Sequence, residues 1–202
     1  MTNDLLIEST YFPPIFHLVR MAESDIIYID GYEHYRKGSF RNKCIISTGN
    51  GLQTLIIPLK KGKNSQQPFM EVEISYDENW PKKHLSAIKT AYGKSPYFIY
   101  FIDEIEMLLN KRFDILMDLN RASIDLLNKY FKMELNIQNT QEYISNYEGI
   151  DLRNTCLTNN YSIQKTNYYP QVFEDRYGFQ NNLSCLDLLF CMGNYGKEVL
   201  GM

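Results

Sequence analysis

From Asp30 to Lys43 the chain reads Asp-Gly-Tyr-Glu-His-Tyr-Arg-Lys-Gly-Ser-Phe-Arg-Asn-Lys, a run that gathers carboxylates, an imidazole and several cations. A carboxylate beside a histidine orients the ring and raises its basicity, so Asp30, Glu33 and His34, joined by His84, suit general acid–base chemistry near neutral pH. Arg41, Lys43, Lys60, Lys61 and Lys94 suit anion recognition, and Asn42 with nearby tyrosines suits sugar hydroxyls. The acids and the three histidines, His17, His34 and His84, lack metal-site spacing, and no transition-metal site is expected. Mg²⁺ held by Asp30 or Glu33 together with a nucleotide-linked substrate is the metal chemistry the residue types leave open.

Charge sharpens the anion reading. No acidic residue falls between Glu33 and Glu71, whereas Arg36, Lys37, Arg41, Lys43, Lys60, Lys61 and Lys63 do, on a chain of net charge −3. A local basic field on an acidic protein favours a small anionic or sugar substrate over nucleic acid. There is no Walker loop, no Gly-x-Gly-x-x-Gly, no Gly-x-Ser-x-Gly elbow and no kinase signature. Cys44, Cys156, Cys185 and Cys191 are scattered without Cys-x-x-Cys spacing and read as reduced, buried thiols. At 202 residues the chain suits one domain, 1–202. It has no membrane span or signal-peptide character, which points to the cytoplasm, and an oligomer is left open.

The elements that must position these groups follow from the apolar pattern. Leu5-Leu6-Ile7 reads as a strand, Ser9 or Thr10 as a cap, Ile15, Leu18, Val19 and Ala22 as a helix stripe, and Ile26 to Ile29 as a second strand. This is a βαβ unit, and the loops after its two strands, Glu8 to Pro13 and Asp30 to Arg41, leave the same carboxyl edge. Lys43–Thr48 and Leu52–Leu59 flank Gly49-Asn50-Gly51 as a hairpin. Lys60 to Pro68 reads as a polar loop and Glu71-Val72-Glu73-Ile74 as a returning strand. The pattern is helical from Trp80 until Lys94-Ser95-Pro96 ends it, and Tyr97 to Leu109 and Phe113 to Phe131 read as two further helices. Asn120, inside the last apolar stripe, needs a partner and can tie down the site loops or serve a structural network. Gln138 to Gln164 reads as loop with short strands, and Ser184 to Cys191 as a helix whose Asp187 belongs to a capping box. The expected class is α/β: a small mixed sheet begun by a βαβ unit plus a β-hairpin over 1–75, a helical half over 80–132, and an irregular segment ending in a helix over 133–202.

Together these stretches resemble the WbqC-like protein family. The family's Gln-Pro-x-Tyr-Leu-Pro-Trp falls on Glu8 to Pro14, where Tyr11 and Pro13 are kept and Glu8 replaces the glutamine. Its aspartate after the second strand falls on Asp30, and its Arg-Asn-Arg on Arg41-Asn42-Lys43. Its Trp-x-x-x-His, Ala-Tyr and Pro-Tyr-Phe fall on Trp80, His84, Ala91-Tyr92 and Pro96-Tyr97-Phe98, and its closing Asn-Leu-Ser and Asp-Leu-Leu-Phe on Asn182 to Ser184 and Asp187 to Phe190. Alone, His84 reads first as a satisfied boundary residue; the resemblance assigns it to a site, together with Tyr11, Trp80, Tyr92 and Asn182. It also implies a place in surface-polysaccharide (O-antigen) biosynthesis. On these grounds the chain is expected to be a sugar-modifying acyl or aminoacyl transferase acting on a nucleotide-linked sugar. An adenylyl transferase built on Thr10 to His17 and a non-catalytic carbohydrate-binding protein are the alternatives.

Overall fold

The computed structural model describes residues 3–61 and 66–202. Leu5–Ile7 (β1) and Ile27–Ile29 (β2) pair in parallel, Leu5 opposite Ile27 and Ile7 opposite Ile29. Helix Ile15–Ala22 (α1) joins them and turns Ile15, Leu18 and Met21 into the core. Full burial of such side chains contributes about 1.5–3 kcal/mol each.

α1 is capped from outside. Pro14 occupies the cap position, where it offers no side-chain oxygen. Ser9 and Thr10, the expected caps, lie too far upstream, and the amide of Phe16 donates instead to Asn182 Oδ1 at 2.8 Å. Ile15 donates to the Leu183 carbonyl. The C-terminal segment thus holds the helix that the first loop starts.

Lys43–Thr48 (β3) and Gly51–Ile56 (β4) form an antiparallel sheet of their own, with Thr48 opposite Gly51. Gly51 takes φ 98°, the left-handed conformation glycine tolerates. β4 ends before Pro58, which cannot donate to a ladder. The strand expected at 71–74 does not form. Phe69–Glu71 is a 3-10 turn, and only isolated bridges join Leu59 to Ile74 and Glu73 to Ile115. Val72 and Ile74 are buried as the alternation requires, but no continuous partner strand lies alongside. The polar loop expected at 60–68 falls partly outside the described residues.

Trp80–Tyr92 (α2), Phe98–Asn110 (α3) and Leu116–Phe131 (α4) make the helical half. The polar tract then supplies two strands that complete the parallel sheet: Ile137–Asn139 (β5) on β2 and Ile150–Asp151 (β6) on β1. Short helices Glu174–Tyr177 (α5), Cys185–Met192 (α6) and Gly196–Val199 (α7) close the chain.

The sheet order is β5-β2-β1-β6. The chain steps outward from β1 through β2 to β5, then returns to the other side of β1 for β6. Open α/β sheets bind ligands at the carboxyl ends of the strands where the order reverses in this way. Here that point lies between β1 and β6. Among the described residues no helix is long and apolar enough to cross a membrane.

Candidate functional site

The loops after β1 and β2 are laced together at the carboxyl edge: the Tyr11 amide donates to the Phe40 carbonyl at 3.0 Å. Asp30, the first residue past β2, is fully buried. Its Oδ1 accepts the amides of Tyr32 and Glu33 at 3.0 and 3.2 Å and the Thr140 hydroxyl at 3.3 Å. Its Oδ2 receives Arg153 Nη1 at 2.5 Å. With both oxygens engaged, Asp30 fixes the loop that carries Glu33 and His34.

Glu33 Oε1 accepts Arg41 Nε at 3.1 Å and Nη2 at 2.5 Å. Arg41 has no exposed surface. Its Nη2 also donates to Asn154 Oδ1 at 3.2 Å, and its carbonyl accepts Asn120 Nδ2 at 2.8 Å. Beyond the guanidinium lies Glu8, the residue that follows β1. Glu8 Oε2 accepts the Asn154 amide at 2.7 Å, a bond that bridges β1 and the turn after β6 across the switch point. Glu8 Oε1 stands 4.0 Å from Arg41 Nη1, too far for a direct hydrogen bond.

Neither Glu8 Oε1 nor Arg41 Nη1 has a hydrogen-bond partner, and both are buried. The same holds for Thr10 Oγ1, both ring nitrogens of His17, and Asn120 Oδ1. A buried polar atom without a partner costs about 1–3 kcal/mol, so such atoms are scarce in folded proteins. These six atoms lie on the first loop, α1, α4 and Arg41; Asp4 Oδ1, Trp80 Nε1 and the Tyr130 hydroxyl, elsewhere in the fold, are likewise without partners.

Burial pushes the Glu8 carboxyl up to about 7, against the pull of Arg41 and helped by Glu33. Burial likewise raises Glu33 while Arg41 lowers it. Burial, then Arg41, drives His17 down to about 3, so its ring is neutral. Beside this cluster a cleft of about 480 Å³ is lined by Tyr32, Glu33, His34, Arg36, Tyr143 and Asn154. Arg153 lies 5.5 Å from the Tyr143 ring centroid. A larger groove of about 860 Å³ runs between the hairpin turn and α2, but its lining holds no carboxylate or imidazole. The chemistry therefore points to the smaller cleft.

Asp30, Glu33, His34 and Arg41 come together here, with Asn120 bonded to the Arg41 carbonyl; the remaining residues singled out from the sequence sit elsewhere. No hydrogen bond or ion pair joins His84 to Asp30, Glu33 or His34 among the described residues. His84 Nε2 faces the Ile56 carbonyl at 3.1 Å, which can only accept, so Nδ1 accepts the Tyr11 hydroxyl at 3.1 Å. Burial lowers His84 to about 4, with the Ile56 carbonyl opposing. Trp80 packs edge-on against the same ring. Asn42 uses its Oδ1 on the Tyr35 hydroxyl and its Nδ2 on the Ile57 carbonyl. Asn182 caps α1 and donates to the Tyr161 carbonyl. Lys43 is half-buried at the start of β3, and Lys94 is exposed after α2.

Tyr92 and Asp187 form a separate buried pair. The Tyr92 hydroxyl donates to Asp187 Oδ1 and that of Tyr169 to Oδ2, each at 2.7 Å. Asp187 therefore does not cap α6 with its carboxylate; Ser184 Oγ alone accepts the Leu186 amide. The adenylyl reading of Thr10 to His17 meets an obstacle at α1, where the amides of Ile15, Phe16 and His17 are already bonded to Leu183, Asn182 and Pro14.

Glu8, His17, Asn154 and Arg153 were not singled out as site residues from the sequence. Glu8 carried a signal, an acid directly after a buried strand. His17 carried one too, as an imidazole on the apolar face of α1. Asn154 and Arg153 lie in an aperiodic polar tract that gives none.

Among the described residues no three His, Cys, Asp or Glu side chains are grouped to hold a metal ion. An uncharacterized protein of Mycobacterium tuberculosis, Rv1507c, is 26% identical over 146 residues, covering 71% of this chain and 62% of the mycobacterial protein. The chain thus spans less than two thirds of that relative's length. No solved structure matches the chain significantly. The model of the WbqC-like protein family matches residues 8–161, a stretch that begins at Glu8 and takes in Glu33, Arg41 and Asn154. Most of the sequence, including every residue of the cluster around Arg41, lies within that match, and the chain belongs to the WbqC-like protein family.

Proposed function

We propose that the crevice between β1 and β6 binds the sugar of a nucleotide-linked substrate of surface-polysaccharide synthesis, and that Glu8 is the acid–base group of an acyl or aminoacyl transfer to it. The observation that carries this reading is Glu8 itself, a buried carboxyl at about 7 with one oxygen unpaired, 4.0 Å from an unpaired guanidinium nitrogen. A group poised near the working pH both takes and returns a proton efficiently. In the transfer, an amine or hydroxyl of the sugar attacks the acyl carbonyl of an activated donor and its proton passes to Glu8. The bond from the acyl carbon to the donor's leaving group then breaks, and Glu8 returns the proton to that group.

Arg41 is a positioning residue here, since Glu33 and burial keep it from meeting a diphosphate in solvent. His34, Tyr32 and Tyr143 line the entrance, where aromatic faces suit a sugar ring. His84 and Tyr11 brace the first loop rather than supply the base. Asn154, which lines the cleft, is the residue between it and Glu8, its amide donating to Glu8 Oε2.

Calorimetry and mass spectrometry of copurified ligand test the reading. A nucleotide-sugar should bind, and Glu8→Gln should keep that binding and lose transfer at least a hundredfold. Binding of free glycans with no transfer to any sugar would instead establish a carbohydrate-binding protein. No binding of either class would refute the crevice.

A further inference from the structure

On the other side of Tyr32 lies a second cavity, about 360 Å³, also at the carboxyl edge of the parallel sheet. Tyr32 lines both spaces, so the two cavities are neighbours. The second cavity opens between the ends of β2 and β5 and the first turn of α4. Its walls combine the thioether side chains of Met70 and Met117 and the Tyr32 ring with the polar ends of Asp118, Arg121 and Asn139.

We infer that this second cavity is the nucleobase subsite for the nucleotide-linked sugar, an inference that rests on the sugar-binding reading of the neighbouring cleft. Three features favour a planar heteroaromatic ring. Methionine sulfurs and a tyrosine ring make favourable contacts with aromatic faces and adapt to their shape. The carboxylate of Asp118 and the amide of Asn139 offer acceptors and a donor to a base edge, and the Asn139 side chain makes no hydrogen bond among the described residues. Arg121 is held by Asp125 at 2.9 Å, which keeps its guanidinium on the wall.

Gly31 explains how the wall is built. A Cβ there would stand 3.1 Å from Met117 Sδ and 3.3 Å from Met70 Cβ, so its absence lets both methionines close on the backbone. The lining is too polar for a lipid chain and too apolar for a bare phosphate. Its size lies within the range of small-molecule sites. The pair of cavities then reads one ligand in two halves, base on the β5 side of Tyr32 and sugar on the β6 side.

The test is calorimetric titration of the full chain with nucleoside monophosphates, the matching nucleotide-sugars and the free sugars. Two variants are compared: Met117→Trp, which fills the cavity, and Asn139→Ala, an exposed change that leaves the core intact. At least one monophosphate should bind to the wild type. Met117→Trp should weaken it and its nucleotide-sugar at least tenfold, Asn139→Ala about fivefold or more, and neither should alter free-sugar affinity. Nucleotide-sugar affinity unchanged within twofold in both variants would overturn the subsite. Binding of free sugars without any nucleotide-sugar would overturn it as well while leaving the crevice standing. Binding of neither would refute both.

Discussion

Glu8→Gln offers a sharp measurement, because the variant keeps the shape of the side chain and removes its titration. Burial lifts Glu8 from an ordinary 4.5 to about 7, so between those values the folded protein holds a proton that the unfolded chain releases. A raised carboxyl therefore contributes stability that is complete below about pH 4.5 and is lost as pH rises through 7. At about 1.4 kcal/mol per pH step, the loss amounts to about 3 kcal/mol. The amide of the variant stays neutral throughout and escapes it.

Urea unfolding from pH 5 to 8.5, followed by the fluorescence of Trp80, reads the difference directly, since this single tryptophan is buried in the fold. Near pH 5 the two proteins should lie within about 1 kcal/mol, the net worth of one hydrogen bond. By pH 8.5 the balance should have moved toward the variant by about 3 kcal/mol. Asp187, raised by burial to about 6, titrates in the same window but in both proteins, and so cancels. Parallel pH profiles would refute the argument that Glu8 is held as a near-neutral acid.

Removing the guanidinium instead should be costly: Arg41→Met is expected to lose about 3–5 kcal/mol at pH 8 by leaving Glu8 and Glu33 buried without a counter-charge. The loss should shrink toward pH 5, where both carboxyls can protonate, and chemical denaturation at the two pH values checks this. His17→Leu should raise stability by about 1 kcal/mol, since it deletes two unpaired buried nitrogens, while weakening ligand binding; thermal melting with and without nucleotide-sugar separates the two effects. Because His17 is held neutral, its cost to stability grows as pH falls below its ordinary 6.5, and the gain from leucine should be larger at pH 5 than at pH 8. Tyr92→Phe should cost about 1–3 kcal/mol by stripping Asp187 of a donor, with no effect on ligand affinity.

The parallel pair β1 and β2, its crossover α1 and the hairpin were legible because buried apolar runs and an Asn-Gly turn act locally. The meeting of the first and second loops followed from that topology alone. β5 and β6 were not legible as sheet members, because strands of three and two residues carry too few side chains to show a period. Asn154 and Arg153 were lost with them, since their roles depend on where β6 docks. The cap on α1 was missed for a related reason: its oxygen comes from Asn182, far along the chain, and no local pattern announces a cap supplied from a distance.

Residue type does not tell Glu8 from Asp187 or His17 from His84, but the completeness of their hydrogen bonding does. Asp187 and Glu8 are both fully buried carboxyls raised toward neutrality. Yet Asp187 has a tyrosine hydroxyl on each oxygen, whereas Glu8 keeps one oxygen bare beside a bare guanidinium nitrogen. His84 and His17 divide in the same way, the first with both nitrogens bonded and the second with neither. A satisfied polar group stabilises a fold through its partners, so its loss should be felt at every ligand concentration. An unsatisfied one destabilises the empty fold by about 1–3 kcal/mol, and a bound group that supplies the missing partner recovers that energy as affinity. His17→Leu and Tyr92→Phe therefore should move stability in opposite directions, and only the first should change binding.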